Sequence, residues 1–136
     1  MTEHPELTAT VNEQMPLGTT LGIRTFGGPD EIECTLEWAP ELCTAGGVLH
    51  GGMLMALADS AGAVCAFLNL PDGAAGTTTI ESKTNFFGAV RGGVVRARAR
   101  PLHRGRSTIV VETDLFDERG KRVARTTQTQ AVLQAD

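Results

Sequence analysis

Between Gly51 and Leu70 the only charged residue is Asp59, eight positions after the first glycine of the run His50-Gly51-Gly52. A carboxylate in apolar surroundings can take a proton from water or attack an electrophilic carbon itself. The glycines offer a different group. The first amides of a helix have no intrahelical partner, and the aligned peptide dipoles place a partial positive charge there, so a carbonyl oxygen gaining negative charge is stabilised. Glycine at 51 and 52 leaves no side chain to block the approach. Eight residues of helix separate Gly51 from Asp59 by roughly 12 Å along the axis and about 80° around it, too far for both to act on one bond within one helix. If a symmetric partner lays its own helix alongside, Asp59 of one chain can face Gly51 of the other, so the spacing predicts a site shared between two subunits. A purely structural reading competes with this one: Asp59 could pair with a buried donor or face a polar seam. Met55, Gly62, Ala63 and Ala66 share its face and suit close helix pairing equally. His50, taken alone, reads as a structural residue rather than a base.

Other chemistries are poorly served. Cys43 stands seven residues before His50 with no third group to orient a thiolate pair. Ser60 lacks the G-x-S-x-G elbow of a hydrolase nucleophile. His4, His50 and His103 are too dispersed for a metal cluster, and no Gly-rich phosphate loop follows a strand, so no metal and no cofactor are expected.

The elements that must position these residues follow from periodicity. Residues 1–16 carry little apolar patterning and prolines at 5 and 16, which reads as a loose N-terminal arm with one helical turn near Val11 to Met15. The single domain is expected over 17–136. Weak alternation from Leu21 to Phe26, a Gly27-Gly28-Pro29-Asp30 turn, and the alternating Ile32, Cys34, Leu36 and Trp38 predict a hairpin that Pro40 ends. Residues 50–70 are rich in Ala, Leu and Met, bounded by Gly-Gly and Pro-Asp-Gly, and predict one buried helix. Four strands are then expected at 77–87, 94–102, 107–116 and 121–133. The order β-β-α-β-β-β-β makes an α+β domain in which one apolar sheet face buries one helix. Arg96, Arg98 and Arg100 alternate with small apolar residues and are expected to pair with Glu112 and Asp114 on the solvated face.

The segment GGVLHGGMLMALADSAG resembles the signature of the hotdog-fold thioesterases of the PaaI-like (phenylacetate-degradation) family. TTTIESKTNFFGAVRGG and the RGRS hairpin extend the likeness over roughly residues 17–133. The resemblance implies a hotdog fold, an antiparallel sheet of five to six strands wrapped around one long central helix, and hydrolysis of acyl-coenzyme A to free acid and coenzyme A. In the family's pattern the amide at Gly51 polarises the thioester carbonyl, and the acid at Asp59 attacks or activates water. A Ser or Thr from the strand after the helix stands near the acid; Thr79 is the match, with Thr78 adjacent. The family's usual Asn or Gln six residues before the His is Thr44 here, a shorter hydrogen-bonding group. Gly52 belongs to the same glycine pair at the carbonyl. By the same likeness Arg104 and Arg106 at one hairpin tip, and Arg91 in another turn, meet the coenzyme A nucleotide, for which guanidinium groups are suited. Leu57, Phe67 and Phe86 are candidates for the acyl pocket. Two other readings stand beside hydrolysis: a hotdog hydroxyacyl-thioester dehydratase, whose His–acid arrangement is missing, and a non-catalytic acyl-thioester binding module, made conceivable by Thr44.

Bulk composition agrees with a soluble globular protein. The net charge of −4, with 41% apolar and 21% charged residues, speaks against nucleic-acid binding and for a packed core. Cys34, Cys43 and Cys65 are odd in number and not spaced as C-x-x-C, and the N-terminus lacks a secretory pattern, so a cytoplasmic location is expected. The apolar helix is long enough to cross a bilayer, but a central Asp and amphipathic strands around it argue against a membrane partner. A homodimer or homotetramer with shared sites is the expected assembly.

Overall fold

The computed structural model describes residues 5–136. Two short helices, α1 (Thr8–Gln14) and α2 (Pro16–Leu21), precede the hairpin β1 (Arg24–Gly28) and β2 (Glu31–Glu37). Two 3-10 turns lead to α3 (Gly51–Leu68), and β3 (Ala74–Phe86), β4 (Val94–Arg104), β5 (Thr108–Phe116) and β6 (Arg122–Gln134) complete the chain. The six strands form one antiparallel sheet in the order β1-β2-β4-β5-β6-β3. This is the hotdog fold, and from β1 onward the chain order β-β-α-β-β-β-β read from periodicity is reproduced.

Alternation decides which face meets the helix. Ile32, Cys34 and Leu36 on β2, Val95, Ala97 and Ala99 on β4, and Ile109, Val111 and Leu115 on β5 are fully buried with Leu57, Ala58 and Ala61 of α3. The alanines of β4 are small enough to let α3 lie close to the sheet. On the outer face Arg100 pairs with Glu112 and Asp114 as expected, whereas Arg96 and Arg98 pair with Glu33 of β2 instead. Register explains the difference, because Glu33 lies opposite Arg98 on the strand that flanks β4 on its other side.

The arm expected over 1–16 differs from the structure in its described part; residues 1–4 lie outside the described residues. Leu7, Val11 and Met15 recur every four residues and pack as one stripe against the core. The chain is anchored further by Leu7 N–H donating to Thr25 O at 2.8 Å and Gly27 N–H to Pro5 O at 2.9 Å. Gly22, at φ +70°, ends α2 in the left-handed conformation that glycine adopts without cost.

The sheet encloses α3 incompletely. Leu54, Leu57, Ala61 and Cys65 are buried, but Met55, Asp59 and Phe67 are exposed along one stripe. The neighbouring β3 is the sheet's last strand, and Ile80 on it is 63% exposed. Thus α3, though long and apolar enough to cross a membrane, is held on one side by the sheet and open on the other.

Candidate active site

The start of α3 is built by His50, whose Nδ1 accepts the Gly52 N–H at 2.8 Å and whose carbonyl accepts from Met53 at 2.8 Å. His50 is therefore the N-cap of the helix. The consequence is selective. The Gly52 amide is taken up by the imidazole, while the Gly51 N–H has no partner among the described residues and remains free for an oxyanion. Both glycines also meet a spatial demand: a Cβ on Gly51 would stand 3.3 Å from the Phe86 ring, and one on Gly52 would stand 2.8 Å from His50 Nδ1.

Asp59 lies on the open stripe of α3, and its Oδ1 accepts a hydrogen bond from Gln128 Nε2 of β6 at 3.2 Å. Two residues further along β6, Gln130 Nε2 donates to Thr79 Oγ1 at 2.7 Å. Thr126, two residues back, bonds Thr84 at 2.7 Å. An inward row of three buried polar side chains thus replaces the apolar face elsewhere in the sheet, one reaching Asp59 on α3 and the other two reaching Thr79 and Thr84 on β3. Gln128 and Gln130 were not among the sequence candidates. Their signal was a period-two amide pair, Gln128 and Gln130, on a strand that carries polar residues on both faces.

The other candidates fall at separate places. Thr44 precedes a 3-10 turn, its N–H donating to Val48 O at 2.8 Å, and its exposed hydroxyl bonds to nothing among the described residues. Arg91 donates to Gly46 O at 3.3 Å, near the start of α3. Arg104 pairs with Asp30 at 3.1 Å, and Asn69 just past α3 donates to Pro29 O beside it, so Arg104 sits at the other end of the helix. Arg106 shares that hairpin tip, where its carbonyl accepts from Gln134. Within one protomer Arg91 therefore does not cluster with Arg104 and Arg106; α3 spans roughly 27 Å between them.

An apolar cavity of about 470 Å³ lies between α1, the second half of α3 and β3. It is lined by Val11 and Met15 of α1, Ala63, Val64 and Phe67 of α3, and Thr77 of β3, among others. Ala63 is one helical turn past Asp59 on the same face. Of the three acyl-pocket candidates, Phe67 lines this cavity, Phe86 stands at Gly51, and Leu57 is fully buried against the sheet, where no ligand reaches it.

Comparison with known proteins gives a consistent picture. The thioesterase superfamily profile matches residues 46–124, which include α3 with Asp59 and the strands β3 to β5. The 1,4-dihydroxy-2-naphthoyl-CoA hydrolase of Escherichia coli is 32% identical over 106 residues, covering 78% of this chain and 77% of that protein. The crystal structure of the thioesterase HI1161 from Haemophilus influenzae superposes with a TM-score of 0.85 at 30% identity, covering 93% of this chain and 90% of that one. The PaaI protein of the Escherichia coli phenylacetic acid degradation operon shares the fold, with a TM-score of 0.83 at 21% identity over 93% of this chain and 91% of its own.

Proposed function

Because the chain belongs to the thioesterase superfamily, we propose that it hydrolyses acyl-coenzyme A thioesters, with Asp59 as the acid that attacks the carbonyl or activates water. One observation carries this reading: a carboxylate anchored through one oxygen on an open apolar helix face, in a fold whose helix start keeps the Gly51 N–H unbonded. The thioester oxygen accepts from Gly51, the carbonyl carbon becomes more electrophilic, and negative charge builds where the helix dipole favours it. In the water route Asp59 takes a proton as hydroxide adds to the carbonyl carbon. Collapse of the tetrahedral intermediate breaks the C–S bond, and coenzyme A leaves as thiolate and recovers the proton. The products are the free acid and coenzyme A.

The separation of Gly51 from Asp59 along α3, together with the open stripe and the exposed edge strand β3, supports a homodimer, alone or paired into a tetramer, in which each site takes its amide from one subunit and its acid from the other. The cavity beyond Asp59 suits an apolar acyl group, aromatic or medium-chain aliphatic. In this reading His50 positions the amides, Thr79 is a second polar group of the site, and Arg104 and Arg106 bind the coenzyme A phosphates. Three free cysteines agree with a reducing, cytoplasmic setting.

The test is thiol release from acetyl-, hexanoyl-, decanoyl- and benzoyl-coenzyme A, with wild type and Asp59→Asn side by side. Turnover of at least one substrate is expected, with a fall on the order of 10³-fold in kcat for Asp59→Asn at unchanged melting temperature. Near-normal turnover by Asp59→Asn removes the acid from the reaction, and no thiol from any substrate favours a binding module.

A further inference from the structure

We infer that Gln128 is a positioning residue that sets the orientation of the Asp59 carboxylate for the reaction. The inference rests on the proposed role of Asp59. Among the described residues Gln128 is the one side chain that hydrogen-bonds this carboxylate, and it does so through one oxygen, Oδ1, leaving Oδ2 to the reacting groups. An aspartate on the open face of a helix has several rotamers available; a donor fixed in the sheet selects one of them.

The donor itself is fixed on both sides. Gln128 is fully buried in the middle of β6, paired with Ser82 on one side and Val111 on the other. Its amide lies against Gly62 so closely that a Cβ there would coincide with Gln128 Oε1. The helix therefore carries, one turn from the acid, a glycine whose missing side chain makes room for this amide.

The energetics point away from a packing role. Gln128 Oε1 is buried with no hydrogen-bond partner among the described residues. A buried acceptor left unsatisfied opposes folding, and an apolar side chain of the same shape is neutral or stabilising in such a place. A residue kept for stability would not be an amide here, whereas one kept to aim a carboxylate must carry the N–H.

The experiment compares Gln128→Met, which keeps the length and loses the donor, with Gln128→Asn, which keeps the amide and loses the reach. Both are assayed with the coenzyme A thioester that wild type turns over fastest, beside Asp59→Asn, and all are melted. The expected result is a kcat lowered roughly 10- to 100-fold in both variants with KM within about twofold, and a melting temperature for Gln128→Met no lower than wild type. A kcat unchanged in either folded variant, or a loss carried by KM alone, overturns the assignment. So does unfolding of both, which would make Gln128 a core residue. If Asp59→Asn itself retains turnover, the hydrolytic role of Asp59 fails first; if Asp59→Asn is inactive and the Gln128 variants are normal, only Gln128 is reassigned.

Discussion

Replacing Gly62 by alanine should destabilise the protein, although the general rule for helix interiors predicts the opposite. Alanine is favoured over glycine inside a helix by about 1 kcal/mol, because glycine loses more backbone freedom on folding. Here the added methyl would occupy the position of Gln128 Oε1, in a region where both residues are buried. Forcing atoms into a filled interior costs about 1–3 kcal/mol. Taking the middle of that range against the helix gain leaves a net loss of about 1 kcal/mol, or roughly 3–5 °C in melting temperature for a chain of this size. The assay is a thermal or urea melt of wild type, Gly62→Ala, Gln128→Ala and the double variant, treated as a double-mutant cycle. In the Gln128→Ala background the obstacle is gone, so the same Gly62→Ala change should stabilise. A Gly62→Ala protein that melts higher than wild type, or a cycle with no coupling, would refute the reasoning and remove the amide from its place beside α3.

Two other expectations concern the helix cap and the thiols. His50→Ala removes the acceptor of the Gly52 N–H, a cap worth about 1 kcal/mol, and should lower the melting point with a partial loss of kcat. A loss as complete as that of Asp59→Asn would instead make His50 a base. Burial pushes the Cys34 and Cys65 thiols up to about 11, above their ordinary 9.0, so at pH 8 an aromatic disulfide reagent should label the half-buried Cys43 fast and the other two only on unfolding. Because these thiols ionise more readily in the unfolded chain, stability should fall as pH rises from about 9 towards 11; rapid labelling of all three at pH 8, or a flat alkaline profile, contradicts this.

The parts of the fold that read clearly were those where one property repeats with one period. Ile32, Cys34 and Leu36 announce β2 because apolar residues alternate strictly with Glu and Thr, and α3 is announced by an alanine-rich run between glycines. The N-terminal helix was obscured. Leu7, Val11 and Met15 have helical spacing, but Thr, Asn and Glu around them leave too little apolar surface for the pattern to stand out beside two prolines. The polar row of β6 was harder still, since RTTQTQ offers polar residues on both faces and nothing local tells which face turns inward. Only the packing of α3 against β6 assigns Gln128 to Asp59, and that contact spans 69 positions in the chain. The separation of Arg91 from Arg104 and Arg106 has a topological reason. Successive tips of an antiparallel sheet alternate between its ends, so the turn holding Arg91 and the next one holding Arg104 and Arg106 lie at opposite ends of the helix.

The pairing of Gln128 with Asp59 and of Gln130 with Thr79 also bears on where the chain can accept extra or missing residues. Strand side chains change sides at every step, so a register slip of one residue in β6 would turn both glutamines outward and bring Thr127 and Thr129 in. A one-residue deletion in the Asp117–Lys121 turn that was absorbed by sliding β6 would break both side-chain bonds without altering either partner. Growth of that loop outward, leaving the ladder in place, would cost little. Length variation at this tip is therefore constrained by an acid on a helix it never contacts.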